Sequence, residues 1–147
     1  MADDKETKTE KRKWVDAVTR MIELTQQGEM RWVPVEPYGI SEKENRTSAV
    51  FRSSYKDKTL RIYEKQVQER QRALDDEGGL AALTLLRPKY QYVWVNQVVL
   101  EFIDGNGNAL WTFPRVGALR DLLSAVQYQA AGVNEFIDDL FEEPSPA

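Results

Sequence analysis

The groups this chain offers for chemistry are carboxylates, hydroxyls, amides, guanidinium groups and amines. Its 147 residues include neither histidine nor cysteine. That excludes disulfides, thiol redox chemistry, Cys/His zinc sites and any catalytic triad built on imidazole. Acid–base work would fall to carboxylate pairs. Asp138 with Glu142, and Asp139 with Glu143, stand one helical turn apart. They belong to a solvated, mutually repelling run, whereas a raised carboxyl pKa needs a desolvated cleft. Ser53 and Ser54 have no base at a diagnostic spacing, so no nucleophile is indicated. Asp104, Asn106 and Asn108 have the spacing of the first ligands of a calcium loop. Ala109 then stands where that loop needs glycine, and Arg115 where it needs a bidentate glutamate. Gly105-Asn106-Gly107 lacks the lysine of a phosphate loop and leads into a strand. The sequence therefore predicts no enzyme, no cofactor and no metal site.

Binding chemistry is better represented. Residues 43–72 carry nine bases against four acids, and within them Arg52, Lys56, Lys58, Arg61 and Lys65 alternate with Phe51, Tyr55 and Tyr63. Cations among aromatic rings can follow phosphates while the rings stack on bases. The competing reading puts Phe51 and Tyr63 in the core and the cations on the outer face, and that reading is preferred. Residues 90–103 form the second candidate. If alternation persists, Tyr90, Tyr92, Trp94, Val98, Leu100 and Phe102 share one side, and Val93, Val95, Val99 and Ile103 the other. A strand apolar on both sides needs cover on both faces. Tyr92, Val93, Trp94 and Val95 are thus the candidate interaction residues.

The elements that must position these residues follow from hydrophobic period. Trp14, Val18, Met21, Ile22 and Thr25 fall on one stripe, so a helix is predicted over about 8–27. Thr7 and Glu10 have capping-box spacing at its start, and Gly28 suits its C-terminal cap. The period then becomes two over 29–35, where Pro34 favours an edge position. A polar loop over 36–47 precedes strands at 48–55 and 59–66, joined by a turn at Lys56-Asp57-Lys58. Residues 67–89 form an insert whose first part suits either a short helix or a continuing strand. Residues 90–103 are the strongest strand, with Asn96-Gln97 suggesting a bulge. Asp104-Gly105-Asn106-Gly107 makes a hairpin turn, its glycines and asparagine supplying positive φ, and 108–113 returns as the last strand before Pro114. Leu119, Leu122, Leu123 and Val126 define a second helix. After Gly132, Asn134 is placed to cap a third with Phe136, Ile137, Leu140 and Phe141 on its apolar side. Strands joined by tight turns with helices at both chain ends predict an α+β fold: an antiparallel sheet of about five strands, one N-terminal helix and two C-terminal helices.

Length suits a single domain over 1–147, with 1–8 and 143–147 expected as disordered tails. The formal charge of −4 is uneven: residues 14–134 hold fifteen acids and fifteen bases, and 135–147 hold five acids and no base. The charged first thirteen residues contain no apolar signal core, and no apolar run approaches a membrane span, so a soluble cytoplasmic protein is expected.

The phrase Met21-Ile22-Glu23-Leu24-Thr25-Gln26-Gln27-Gly28-Glu29-Met30-Arg31-Trp32 resembles one found in small uncharacterised prokaryotic and phage-encoded proteins, in which a helix ends at glycine and a strand opens towards tryptophan. The resemblance implies a small stand-alone α+β protein and transfers no functional residue. In order of elements alone, the chain also looks similar to small acidic bacterial secretion chaperones, which dimerise around an extended client. The expectation drawn from the residues is a non-catalytic protein-interaction or assembly module, with a protein partner or self-association and no membrane. A nucleic-acid-binding or antagonist module using 43–72 is the alternative. An enzyme working with carboxylates alone comes third.

Overall fold

The structure, a computed structural model, describes residues 2–37, 46–72 and 90–142. It is an α+β fold: helix α1 (Ala2–Gln26), strands β1 (Val33–Val35), β2 (Arg46–Tyr55), β3 (Lys58–Arg72), β4 (Tyr90–Ile103) and β5 (Ala109–Thr112), then helices α2 (Ala118–Ala130) and α3 (Val133–Phe141). The five strands form one antiparallel sheet in chain order. Tight turns join β2 to β3 and β4 to β5, as antiparallel neighbours allow.

The helices cover one face. Val18 of α1 and Leu119, Leu122, Leu123 and Val126 of α2 pack on Phe51, Leu60, Ile62, Val98 and Leu100. Ile62, Leu100, Leu122 and Val126 are wholly buried, each contributing on the order of 1.5–3 kcal/mol relative to an exposed position. Trp14 closes the outer end of this layer, its ring 5.1 Å from Trp111 and 5.6 Å from Phe113. The opposite face carries a smaller apolar cluster of Val50, Tyr63 and Val99, flanked by Val35. The strand 90–103 is therefore apolar towards both faces over its second half, as its composition suggests.

Gly28, at φ +79°, reverses the chain after α1. Its N–H donates to the Thr25 carbonyl, and the N–H groups of Glu29 and Met30 donate to the Leu24 carbonyl. This is the left-handed helix ending that glycine favours. Gln129 of α2 then fastens the returning chain. Its Nε2 donates to the carbonyls of Thr25 (2.8 Å) and Met30 (2.7 Å), and its Oε1 accepts from Trp32 N–H (2.8 Å).

Several local expectations are corrected. α1 begins at Ala2, so residues 2–8 belong to a helix, and Thr7 and Glu10 lie inside it with no first turn to cap. The strand predicted over 29–35 contracts to Val33–Val35, because Met30 and Trp32 are held by Gln129 and the core. β3 runs on to Arg72, which makes the first part of the insert strand. The remaining insert, the tail 143–147 and most of the 36–47 loop fall outside the described residues. β4 pairs with β3 without a register shift from Phe102 to Tyr90, so Asn96-Gln97 forms no bulge there. In the 104–107 turn, Gly107 alone takes positive φ (+84°). Asn134 does not cap α3: Gly132 (φ +67°) holds that position, and Asn134 Oδ1 accepts from Tyr128 O–H at 2.7 Å.

Candidate interaction surface

β3 and β4 are longer than their neighbours. β2 pairs with β3 only as far as Gln66, and β5 pairs with β4 only over Glu101–Ile103. Residues 67–72 and 90–95 are paired with each other alone among the described residues, and project as a two-stranded arm. The polar pattern Gln66, Gln68, Arg70 gives no strand signal of its own. It becomes strand because Val67, Gln68, Glu69 and Arg70 face Val95, Trp94, Val93 and Tyr92 across the ladder.

Alternation places Tyr90, Tyr92 and Trp94 on the same face as Val98 and Leu100, the face the helices cover. The helix layer ends short of them. Arg115, just ahead of α2, reaches Glu69 Oε1 at 3.9 Å, and in the first turn of α2 Arg120 NH1 donates to Glu64 Oε2 at 2.7 Å, beside Val98. Beyond that point Trp94 is 51% exposed and Tyr92 67%. Arg70 stacks its guanidinium on the Tyr90 ring, 3.7 Å from the centroid. On the opposite face Val93 and Val95 are half-buried. The four candidate residues are thus divided, with two aromatics on one side of the arm and two valines on the other.

The outer edge of β4 is the arm's second property. The Leu100 carbonyl points away from β3, since it accepts from Phe113 N–H at 2.8 Å on the β5 side. Lateral backbone groups alternate along a strand. Tyr92, Trp94, Asn96 and Val98 therefore turn their N–H and C=O groups to that same edge, where no strand of the described residues pairs with them. Residues 90–98 contain no charged residue and no proline, the usual protections of an exposed edge. A notch of about 470 Å³ lies at the inner end, between Asn96–Val98 and the Arg115–Arg120 segment.

The basic candidates do not form one surface. Arg61 is 2% exposed, and its Nε donates to Glu101 Oε1 at 2.7 Å while NH1 donates to the Gly107 carbonyl at 2.9 Å. It is consequently withdrawn from any phosphate contact, a correction to the sequence reading. Arg52, Lys56 and Lys58 are exposed and Lys65 is half-buried. Arg52 and Lys65 share the Arg61 face, whereas Lys58 pairs with Tyr55 on the helix side of the sheet. Phe51 faces the helices and Tyr63 the opposite cluster, so the two aromatics of the stretch are also separated.

Two further surfaces escaped the sequence reading. α3 buries none of its residues, leaving Phe136 and Leu140 each 62% exposed and Phe141 83%. Its amphipathic spacing was legible, but its exposure among the described residues was not. An open groove of about 860 Å³ runs between the end of α1, β1 and α2, with Arg31, Asp121 and Glu135 as its charged groups. Asp104 serves the turn itself, its Oδ1 accepting from the N–H groups of Asn106 and Asn108, both at 2.9 Å. Those bonds, that of Asn108 foremost, hold its carboxyl below the usual range. Among the described residues no cluster of His, Cys, Asp and Glu could hold a metal ion, and no helix is long and apolar enough to cross a membrane. Comparison of the chain with protein-family models, curated proteins and solved structures finds no match.

Proposed function

We propose that this chain is a non-catalytic protein-interaction and assembly module that works by accepting an extended strand along the β3–β4 arm. The observation that carries this reading is the outer edge of β4, whose outward N–H and C=O groups at 92–98 have no partner among the described residues and no charge or proline to deter one. Main-chain hydrogen bonds to such an edge provide affinity, and side chains at alternate positions provide selectivity. Tyr92 and Trp94 are the selecting side chains. They are large and held on a rigid ladder, so little side-chain freedom is lost on contact.

Light scattering of the purified chain, together with capture from an extract of its source cells, tests the reading. Association or capture that is lost in Trp94→Glu, with circular dichroism unchanged, supports it. A strict monomer that captures nothing sinks it.

A second reading rests on the placement of Arg70 against Tyr90, beside Tyr92 and Trp94. Rings and a cation on one strand face make a stacking platform for single-stranded nucleic acid. A gel shift with single-stranded DNA or RNA that is abolished by Arg70→Glu and Trp94→Ala favours this reading. Retardation unaffected by both variants removes it.

A further inference from the structure

We propose that the strand accepted by β4 is β4 of a second copy of this chain, paired antiparallel across a two-fold axis at Trp94. The inference rests on the strand-addition reading above and names its partner.

Geometry makes the edge self-complementary. A two-fold axis brings the same surface of both copies together, so every group must find its match within one patch. The outward backbone groups belong to the even-numbered residues, fixed by the bond from Phe113 N–H to the Leu100 carbonyl. Antiparallel pairing about Trp94 sets even residues against even residues throughout: Trp94 against its own copy, Tyr92 against Asn96, and Tyr90 against Val98. Each pair then exchanges N–H and C=O bonds, as an antiparallel ladder requires. A one-residue slip would set outward groups against inward ones, so the register is constrained.

The side chains support the same partner. Residues 90–98 carry no charge, so no like charges meet when the segment faces itself. Tyr90, Tyr92 and Trp94 are 46%, 67% and 51% exposed and lie on one face. Such rings carry roughly 150–250 Å² each, so covering them in both copies removes on the order of 600 Å² from water. Pairing of about nine residues per copy adds backbone and flanking side chains, bringing the contact towards the ~1,000 Å² of a specific interface. The notch beside Asn96–Val98, bordered by Arg115 and Arg120, receives the end of the incoming strand. The product is one continuous sheet through both copies, in which neither β4 edge is left open.

Sedimentation equilibrium of the full chain from about 1 to 100 μM tests the proposal. A species of twice the 17.0 kDa chain mass is expected. Trp94→Lys puts two like charges on the axis, and Tyr92→Pro removes an outward N–H without breaking a bond to β3. Each is expected to weaken the dimer at least tenfold while near-ultraviolet circular dichroism persists. Because the chain has no cysteine, a spin label at Gln91→Cys is unique. The two labelled backbones are expected about 20 Å apart, from six residues of strand rise. A monomer across the range overturns the second copy as partner. So does a dimer that both edge variants leave intact and Leu140→Glu dissolves, which assigns association to α3. A monomer that captures another protein through Trp94 leaves the strand-addition reading standing, whereas one that captures nothing removes both.

Discussion

Arg61 and Glu101 face each other on adjacent strands, and the Arg61 Nε lies 2.7 Å from Glu101 Oε1 with both side chains almost fully shut from solvent. They are the second and third residues of a row running from Arg52 on β2 to Thr112 on β5. The pair ties β3 to β4 at the end of their ladder remote from the arm, and the third contact, to Gly107, ties both to the following turn. Removing either charge strands the other in a desolvated site. Glu101→Gln and Arg61→Met are each expected to cost about 3–5 kcal/mol in urea unfolding. The double variant Arg61→Met/Glu101→Leu should recover most of that loss, since a packed apolar pair replaces a buried ionic one at little net cost.

Tyr63 stands beside this pair, its ring 5.8 Å from the Arg61 guanidinium. Burial, with a smaller push from the Glu101 carboxylate, raises its phenol to about 12. A group whose folded pKa exceeds its unfolded value of about 10 holds its proton more tightly in the native state. The stability it contributes is complete below pH 10 and declines as pH rises through 10 towards 12. Ultraviolet titration should show a phenol ionising near pH 12, and Tyr63→Phe should abolish that late phase.

Gln129 reaches across the sequence to join α2 to Thr25, Met30 and Trp32, about a hundred residues earlier in the chain. Gln129→Ala deletes three hydrogen bonds and is expected to cost about 2–3 kcal/mol. Gln129→Glu should do no better, because it sets a carboxylate oxygen against two carbonyls. Urea unfolding followed by tryptophan fluorescence checks both variants, and a red shift of native emission would report Trp32 loosening.

Ser53 is 2% exposed on the helix side of the sheet, and its hydroxyl has no hydrogen-bond partner among the described residues. A buried unpaired hydroxyl carries a desolvation penalty of about 1–3 kcal/mol. Ser53→Ala removes that penalty while leaving only a small void. Calorimetry should show Tm unchanged or raised by up to about 5 °C. A clear fall in Tm would show that the hydroxyl is satisfied in solution.

The legibility of the fold follows the range of the interactions. The stripe Trp14, Val18, Met21, Ile22 encodes α1 because a helix bonds residues four apart, and Gly28 ends it because only a left-handed turn reverses the chain there. The run of aromatic and β-branched residues over 90–103 encodes β4 through a preference that is also local. Arg70 and Gln68 show no strand period, and they are strand because β4 offers them a ladder. Arg61 reads in sequence as one exposed cation among five, because the carboxylate that buries it lies forty residues away. Phe136 and Leu140 read as a helix face seeking cover, and composition holds no record of whether a neighbour lies close enough to supply it.

By itself, then, the sequence determined the chemistry that is missing, the order of helices and strands, and the presence of a strand apolar on both sides. Those are matters of residue type and of periods of two and 3.6, which local backbone geometry imposes. Only the tertiary structure decided that the packed helix layer reaches Val98, that Trp94 and Tyr92 lie exposed beyond it, and that their backbone groups line an edge with no strand partner among the described residues. Strand lengths and helix placement set that outcome together, through contacts between residues far apart in the chain.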